Sequence, residues 1–405
     1  MNTLQPELSK IRLVIVQYAG DYAEAFERLA KGGSETYYAQ KYSVDAVTEM
    51  AKRAESVTVI CCMTPEFNDL VLENGVRAIA CGFNHKINSQ KLIEFIAEQN
   101  PTHLVVRTIL PEVFKWAIKK KIRTIAVFAE SIATTRWRNK NRNYFLAKLL
   151  NNKQIEWVGT YCLTSSLLFK EIGVKPEKII PWDFLLESDP GSLSPKELSV
   201  GVKTLKLFYA GLLIPSKGVG DILEAVAKLR ERNISVHLKM AGTGEEEFFA
   251  QRVEQLQIKD SVEIMGLVPS QTVEHLMRES DIVLVTSRHE YTEGFPLTIE
   301  HALRKRTPIV ASDHPMFKAY LKHGINSMIF EAGNSLALAE CIEKVISDSA
   351  LYHNLSVASH STWQELRLPV KWAELIDRWL DDSPESKQWL FEQRLASGAY
   401  NSRQS

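Results

Sequence analysis

The residues best suited to chemistry lie between Val283 and Ser312, in VLVTSRHEYTEGFPLTIEHALRKRTPIVAS. Val283 to Val285 is a short apolar run of the kind that sits inside a parallel sheet, and Leu297 to Leu303 places apolar residues about one helical turn apart. The turn between them holds Glu290, Glu293 and Gly294, with a helix start expected near Pro296. In an open α/β sheet the ligand crevice lies beyond the carboxyl ends of the strands, which is where this turn falls. A helix N-terminus favours anions. Carboxylates set beside one suit a ligand that carries hydroxyl groups as well as phosphate.

Alternating strands and helices must position that turn. Strands are expected at Arg12 to Tyr18, Val57 to Cys62, Arg77 to Ala80, His103 to Arg107, Thr124 to Phe128 and Trp157 to Leu163. A polar loop should lead from the first strand to Lys31-Gly32-Gly33-Ser34, followed by a helix from about Glu35 to Arg53, and another helix is expected over Ser165 to Ile172. Such βαβ repetition predicts a parallel sheet. From Pro181 to Lys206 prolines, glycines and serines accumulate, which marks a linker. The pattern then restarts with strands at Leu205 to Ala210, Val236 to Ala241 and Val262 to Met265, and helices at Val219 to Arg232, Phe248 to Gln255 and Gln271 to Glu279. The expected organisation is one domain over 1–190, a second over 191–371 and a C-terminal helical segment over 372–405.

Bulk properties narrow the function. The 405 residues include 49 basic and 49 acidic side chains, so no global field draws the chain to nucleic acid. Hydrophobic content of 45% and charged content of 24% place it among globular proteins rather than disordered or fibrous ones. Cys61, Cys62, Cys81, Cys162 and Cys341 form no C-x-x-C pair and read as reduced, buried thiols of a cytoplasmic protein. The opening MNTLQPELSK lacks the apolar core of a signal peptide, and no run of about 18 apolar residues is present.

Six phrases in order carry a family resemblance: AGLLIPSKG (210–218), MAGTGEE (240–246), IMGLVPSQTVEHLMRESDIVLVTS (264–287), TEGFPLTIEHAL (292–303), TPIVASDHP (307–315) and HGINSMIFEAGN (323–334). Over Leu207 to about Asp348 the chain resembles the donor domain of retaining GT-B glycosyltransferases of family 4. The N-terminal half matches loosely, through the strand at Arg12, the Gly32-Gly33 loop and TSSLLFKEIGVKPEKIIP (164–181). The resemblance implies two Rossmann-like doubly wound α/β domains with parallel sheets facing a cleft, the acceptor taken by the first and helices 372–405 returning to it, with Trp379, Trp389, Leu390 and Leu395 as core anchors. It implies transfer of a hexose from a nucleotide sugar, a UDP-sugar such as UDP-glucose, to a saccharide or lipid-linked acceptor, with no metal and no further cofactor. Lys217 would meet the diphosphate as a point charge. Gly33, Gly211, Gly242 and Gly244 would let backbone amides approach phosphate or base without a Cβ in the way. Val268 falls in the donor-binding phrase that follows a strand. Glu293 would face the donor sugar, with Gly294, Phe295, Pro296 and Leu297 presenting backbone groups; outside the family it would be an ordinary helix-start carboxylate.

Two departures stand out. The family leaves seven residues between its paired glutamates, but six lie between Glu293 and Glu300, and His301 holds the position seven residues on. Either His301 takes the ribose-binding role or Glu300 does so after a one-residue adjustment; Glu290 is a third candidate. Leu212 stands where the family commonly has an arginine, so Arg288 or backbone amides would have to assist Lys217. These losses keep open a sugar-nucleotide-binding subunit without turnover.

In the first half the resemblance implies a cleft-facing acid or histidine after the expected strand Thr124 to Phe128; Glu130 fills that position and would orient the acceptor hydroxyl, or is a solvent-facing loop glutamate. Residues 131–155 carry Arg136, Arg138, Lys140, Arg142, Lys148 and Lys153, no acid, and interleaved Trp137, Tyr144, Phe145, Leu146, Leu149 and Leu150. This reads as a basic amphipathic helix suited to peripheral contact with the inner face of a membrane, or as a solvated face over ordinary core.

Overall fold

The computed structural model describes residues 8–132, 137–184, 189–198 and 204–401. They fall into two compact units. One holds the described residues up to Phe184, apart from 36–38, together with Leu368 onward; the other holds Thr36–Tyr38 and 189–367.

The first unit is built from β1 (Leu8–Ala19), α1 (Tyr22–Ala30), α2 (Gln40–Ala51), β2 (Ala54–Met63), β3 (Phe67–Val71), β4 (Arg77–Cys81), α3 (Ser89–Glu98), β5 (His103–Val106), α4 (Pro111–Lys120), β6 (Arg123–Phe128), α5 (Trp137–Leu150), β7 (Ile155–Tyr161), α6 (Leu163–Glu171) and β8 (Ile179–Trp182). Its eight strands lie in the order β3-β4-β2-β1-β5-β6-β7-β8. All pairings are parallel except β3 with β4. The central strands are apolar on both faces because both are covered. Val14, Val16, Leu104, Val106 and Phe128 pack on one side against Leu92, Phe114, Leu150 and Phe169 of α3 to α6.

Four expectations need correction here. Residues 22–30 form a helix and not a loop, because the Asp21 side chain accepts from the amides of Ala23 at 2.9 Å and Glu24 at 3.1 Å and so caps it. The single helix expected over 35–53 starts only at Gln40. The sheet is also not wholly parallel, since β3 folds back on β4 as an antiparallel edge. Pro181 belongs not to the linker but to β8, the other edge strand of the sheet, where a missing N–H is tolerated.

The second unit contains β9 (Leu205–Ala210), α7 (Val219–Glu231), β10 (Val236–Ala241), α8 (Glu246–Gln255), β11 (Val262–Gly266), α9 (Ser270–Glu279), β12 (Ile282–Val285), α10 (Leu297–Arg304), β13 (Ile309–Ser312), β14 (Met328–Phe330), α11 (Ser335–Ser347) and α12 (Ser349–Leu366). Its six strands are all parallel, in the order β11-β10-β9-β12-β13-β14. Leu207, Leu238, Leu284 and Val310 form the centre of its core with Ile222, Val226, Leu338 and Ile342.

The chain then rejoins the first unit through α13 (Trp372–Asp381) and α14 (Pro384–Gln393). Arg53 reaches Asp377 at 2.5 Å, and the Trp379 indole donates to Glu156 at 2.9 Å. Trp372, Trp379, Leu390 and Leu395 are all buried, whereas Trp389 is half-buried under Arg378.

His103 of β5 lies in this packing, its ring edge-on to Trp379 at 5.1 Å. Burial, helped by the Arg123 charge, pushes its pKa down to about 4, against about 6.5 for an exposed histidine. Below pH ~6.5 the unfolded chain takes up a proton that the folded chain refuses, so stability should fall as pH drops from ~6.5 to ~4. Thermal unfolding across that window should show a shallower pH slope for His103→Leu than for the wild type; equal slopes would contradict the assignment.

Candidate active site

The second sheet grows outward in both directions from the pair β9 and β12, so the chain reverses its order between them. That makes a topological switch point, and ligands bind beyond the carboxyl ends of strands at such a point. The two loops leaving it are stitched together. Thr286 Oγ1 donates to the Lys217 carbonyl at 2.8 Å, and the Arg288 amide donates to the Ser216 carbonyl at 2.9 Å. Gly218 opens α7 at φ +71°, where a Cβ would lie 2.1 Å from the Thr286 carbonyl oxygen, so only glycine fits.

This stitching brings Lys217 and Glu293 into an ion pair. Glu293 is 6% exposed. Its Oε1 also accepts from Ser287 Oγ at 2.5 Å, and Ser312 Oγ in turn donates to the Ser287 carbonyl at 2.6 Å. The Lys217 ammonium lies 4.2 Å from the centre of the Tyr291 ring, a cation–π distance. The turn itself is held from β13. His314 accepts from the Met316 amide at Nδ1, 3.2 Å, which leaves Nε2 to donate to the Tyr291 carbonyl at 3.1 Å. That carbonyl also accepts from the Glu293 amide at 3.0 Å. Burial pushes the His314 pKa down, in keeping with a neutral ring. His314 was not singled out from the sequence; the available signal was a histidine directly after the apolar strand in TPIVASDHP.

Beyond Glu293 the chain passes Gly294, buried Phe295 and Pro296 into α10, which no side chain caps at its start. Thr298 Oγ1 ties that first turn to the Ala210 carbonyl at 3.1 Å. The positive end of α10 therefore stands beside the Lys217–Glu293 pair.

The glycine loops act differently from expectation. Gly211 donates its amide to Ala241 at 3.0 Å, and Gly242 donates to Gly266 at 2.8 Å. A Cβ on Gly242 would fall 1.8 Å from the Gly211 carbonyl oxygen, so these residues let two loops touch while their amides are already spent. Gly244 likewise packs on Leu213. Gly33 lies in the first unit and ends α1, its amide donating to Arg28 at 2.9 Å. Val268 follows β11, half-buried in the loop to α9.

Glu300 and His301 are both buried, 3% and 5% exposed, about 100° apart around α10. His301 Nδ1 sits 3.1 Å from Glu274 Oε1, and its ring meets Tyr38 edge-on at 4.8 Å. Arg304 at 3.0 Å and Lys305 at 2.7 Å reach the same carboxylate. Burial alone would raise the Glu274 pKa, but hydrogen bonds from His301 and Lys305 and the Arg304 charge override it and hold it at about 2. His301 is thus anchored to a carboxylate supplied by α9.

Arg288 is already committed, gripping buried Asp221 through two hydrogen bonds of 3.0 and 2.5 Å. Lys217 therefore does not share its task with Arg288. Glu290 is exposed and borders a recess of about 240 Å³ with Arg288, His289, Ala332 and Gly333. Glu130 belongs to the first unit, where its Oε1 accepts from Thr108 Oγ1 at 2.8 Å and the Ile109 amide at 2.6 Å.

Residues 194–361 match the family model of glycosyl transferases group 1. This segment belongs to that family. The glycosyltransferase segment holds Lys217, Glu293, Ser287 and His314 alike. Among curated proteins, the putative colanic acid biosynthesis glycosyltransferase WcaL of Escherichia coli is 24% identical over 156 residues, covering 38% of each chain. Three curated glycosyltransferases, WcaL among them, are spanned over 38%, 43% and 49% of their own length. Among solved structures, sucrose-phosphate synthase from Thermosynechococcus elongatus superposes with a TM-score of 0.64 at 14% identity, covering 94% of this chain and 98% of that one. HepE from Anabaena, solved with UDP-glucose, gives 0.61 at 16% identity, covering 92% and 99%. At such identities the likeness is one of fold, and that fold is GT-B, with two parallel-sheet Rossmann-like domains.

The buried pair makes a physical prediction independent of chemistry. Lys217→Met would strand the Glu293 carboxylate and should lower the unfolding free energy by about 3 to 5 kcal/mol in urea denaturation. Adding Glu293→Leu should return part of that loss. A single-variant loss below about 1 kcal/mol would contradict the pairing.

Proposed function

We propose that the chain is a retaining, metal-independent glycosyltransferase. It moves a hexose from a UDP-sugar to a saccharide or lipid-linked acceptor in polysaccharide or glycoconjugate synthesis. The observation that carries this reading is the buried Lys217–Glu293 pair beside the uncapped start of α10 at the switch point. An ammonium has three N–H groups, so Lys217 can take a phosphate oxygen that competes with Glu293. The carboxylate so loosened can accept from hydroxyls of the donor sugar. Fixed positive charge where the diphosphate departs is the electrostatic assistance that such a reaction needs. A front-face departure fits this arrangement, in which the leaving phosphate takes the acceptor proton and binding fixes both substrates. Glu130 would orient the acceptor through Oε2, its Oε1 being engaged by Thr108 and Ile109. The UDP-glucose complex of HepE and the biosynthetic role named for WcaL support the donor and pathway class.

One observation favours a second reading, a sugar-nucleotide-binding subunit without turnover. Leu212 is 46% exposed where a second cation would be useful, and Arg288 is neutralised by Asp221.

A UDP-release assay with UDP-glucose, paired with calorimetry, separates the two. The transferase reading expects turnover that falls about a hundredfold or more in Lys217→Ala and in Glu293→Gln. Binding without turnover would establish the second reading, and near-normal rates in both variants would remove these residues from the mechanism.

A further inference from the structure

The outer face of α5 is not explained by folding. Asn143, Leu146, Ala147 and Leu150, spaced i, i+3, i+4 and i+7, are buried, and the last three enter the unit's core with Leu149 packed against it. Outward, Tyr144 is 64% and Phe145 62% exposed, their rings edge-to-face at 5.7 Å. Lys140 and Lys148 lie one turn to either side of Tyr144, and Arg142 is also exposed. The neighbouring α4 packs along α5 and turns Lys115, Lys119 and Lys120 outward. Glu112 is the lone acid among the described side chains of the two helices, and Lys115 neutralises it at 2.8 Å. In a chain with zero net charge, this concentration of cations is local. Arg136 lies outside the described residues, and the side chains of Trp137 and Arg138 are likewise not described.

We propose that the exposed face of α5, with α4 beside it, docks on an anionic phospholipid surface. Tyr144 and Phe145 enter the interfacial layer while Lys140, Arg142 and Lys148 meet the headgroups. Aromatic rings are at home at the boundary between headgroups and acyl chains, where lysines can reach back to phosphate along their stems. Each lysine or arginine near such a surface contributes about 1 kcal/mol, and insertion of two rings adds the short-range part that salt does not screen. A nucleic acid fits less well. The two rings pack edge-to-face on an exposed helix face, whereas single-stranded binding needs successive open ring faces along a groove. No described helix is long and apolar enough to cross a membrane, so the contact is one of lying on the surface. The proposal does not depend on the transfer reaction.

Co-sedimentation of the full chain with vesicles tests it. Wild type should pellet with vesicles containing one-third phosphatidylglycerol at low salt, and about tenfold less with pure phosphatidylcholine. Tyr144→Ser/Phe145→Ser should lose about tenfold in affinity, and Lys140→Glu/Arg142→Glu should lose binding altogether. Circular dichroism and melting should match wild type in both; if one variant misfolds, Lys148→Glu supplies the charge test. Absence of binding to phosphatidylglycerol vesicles would overturn the proposal. So would binding that ignores the aromatic substitutions and is abolished by heparin, which would mark a bare polyanion surface.

Discussion

A single buried ion pair organises the second unit. Lys217 and Glu293 come from loops after different strands, and an ammonium and a carboxylate taken out of water persist only when their partners are fixed. Much of the surrounding architecture meets that demand. Gly218 lets the first loop press against β12, Ser287 shares the Glu293 oxygen, and His314 pins the turn through the Tyr291 carbonyl. Under the proposed reading, a phosphate entering a site so braced would meet an ammonium already in place, with the Lys217–Glu293 contact as the one to give way.

The departure at Glu300 and His301 reads differently with side chains in view. A histidine at the position expected for a carboxylate removes one negative charge from α10, and Glu274 restores one from α9 at 3.1 Å. The same carboxylate gathers Arg304 and Lys305, so the cluster also locks α9 to α10. Tyr38 closes over the histidine ring. The shape of this region is therefore set by a charge network rather than by one acidic residue.

The parallel architecture and the nearness of Lys217 to Glu293 were legible because buried parallel strands leave near-continuous apolar runs, and because both residues fall in loops beyond strand ends. What stayed hidden lacked such signals. α1 spans only nine residues, and two of the three it buries, Tyr22, Ala23 and Ala25, are alanines, so little apolar bulk marks it. β3 is a largely exposed edge strand, its one aromatic contact among the described residues being Phe67 stacked on Phe95, so it shows no buried apolar run, and Pro181 disguised β8 as linker. The true employment of Gly211 and Gly242 could not be read either, because whether an amide faces a ligand or a neighbouring carbonyl depends on loops distant in sequence. His314 and Glu274 were invisible for the same reason: each acts through a partner on another element.

The account rests on Lys217 exchanging Glu293 for a diphosphate. A crystal structure of the protein with UDP-glucose tests this most directly. It should show a phosphate oxygen within hydrogen-bonding distance of the Lys217 ammonium, the first turn of α10 facing the diphosphate, and Glu293 turned onto a sugar hydroxyl. A nucleotide bound elsewhere, with the Lys217–Glu293 pair intact and untouched, would contradict it.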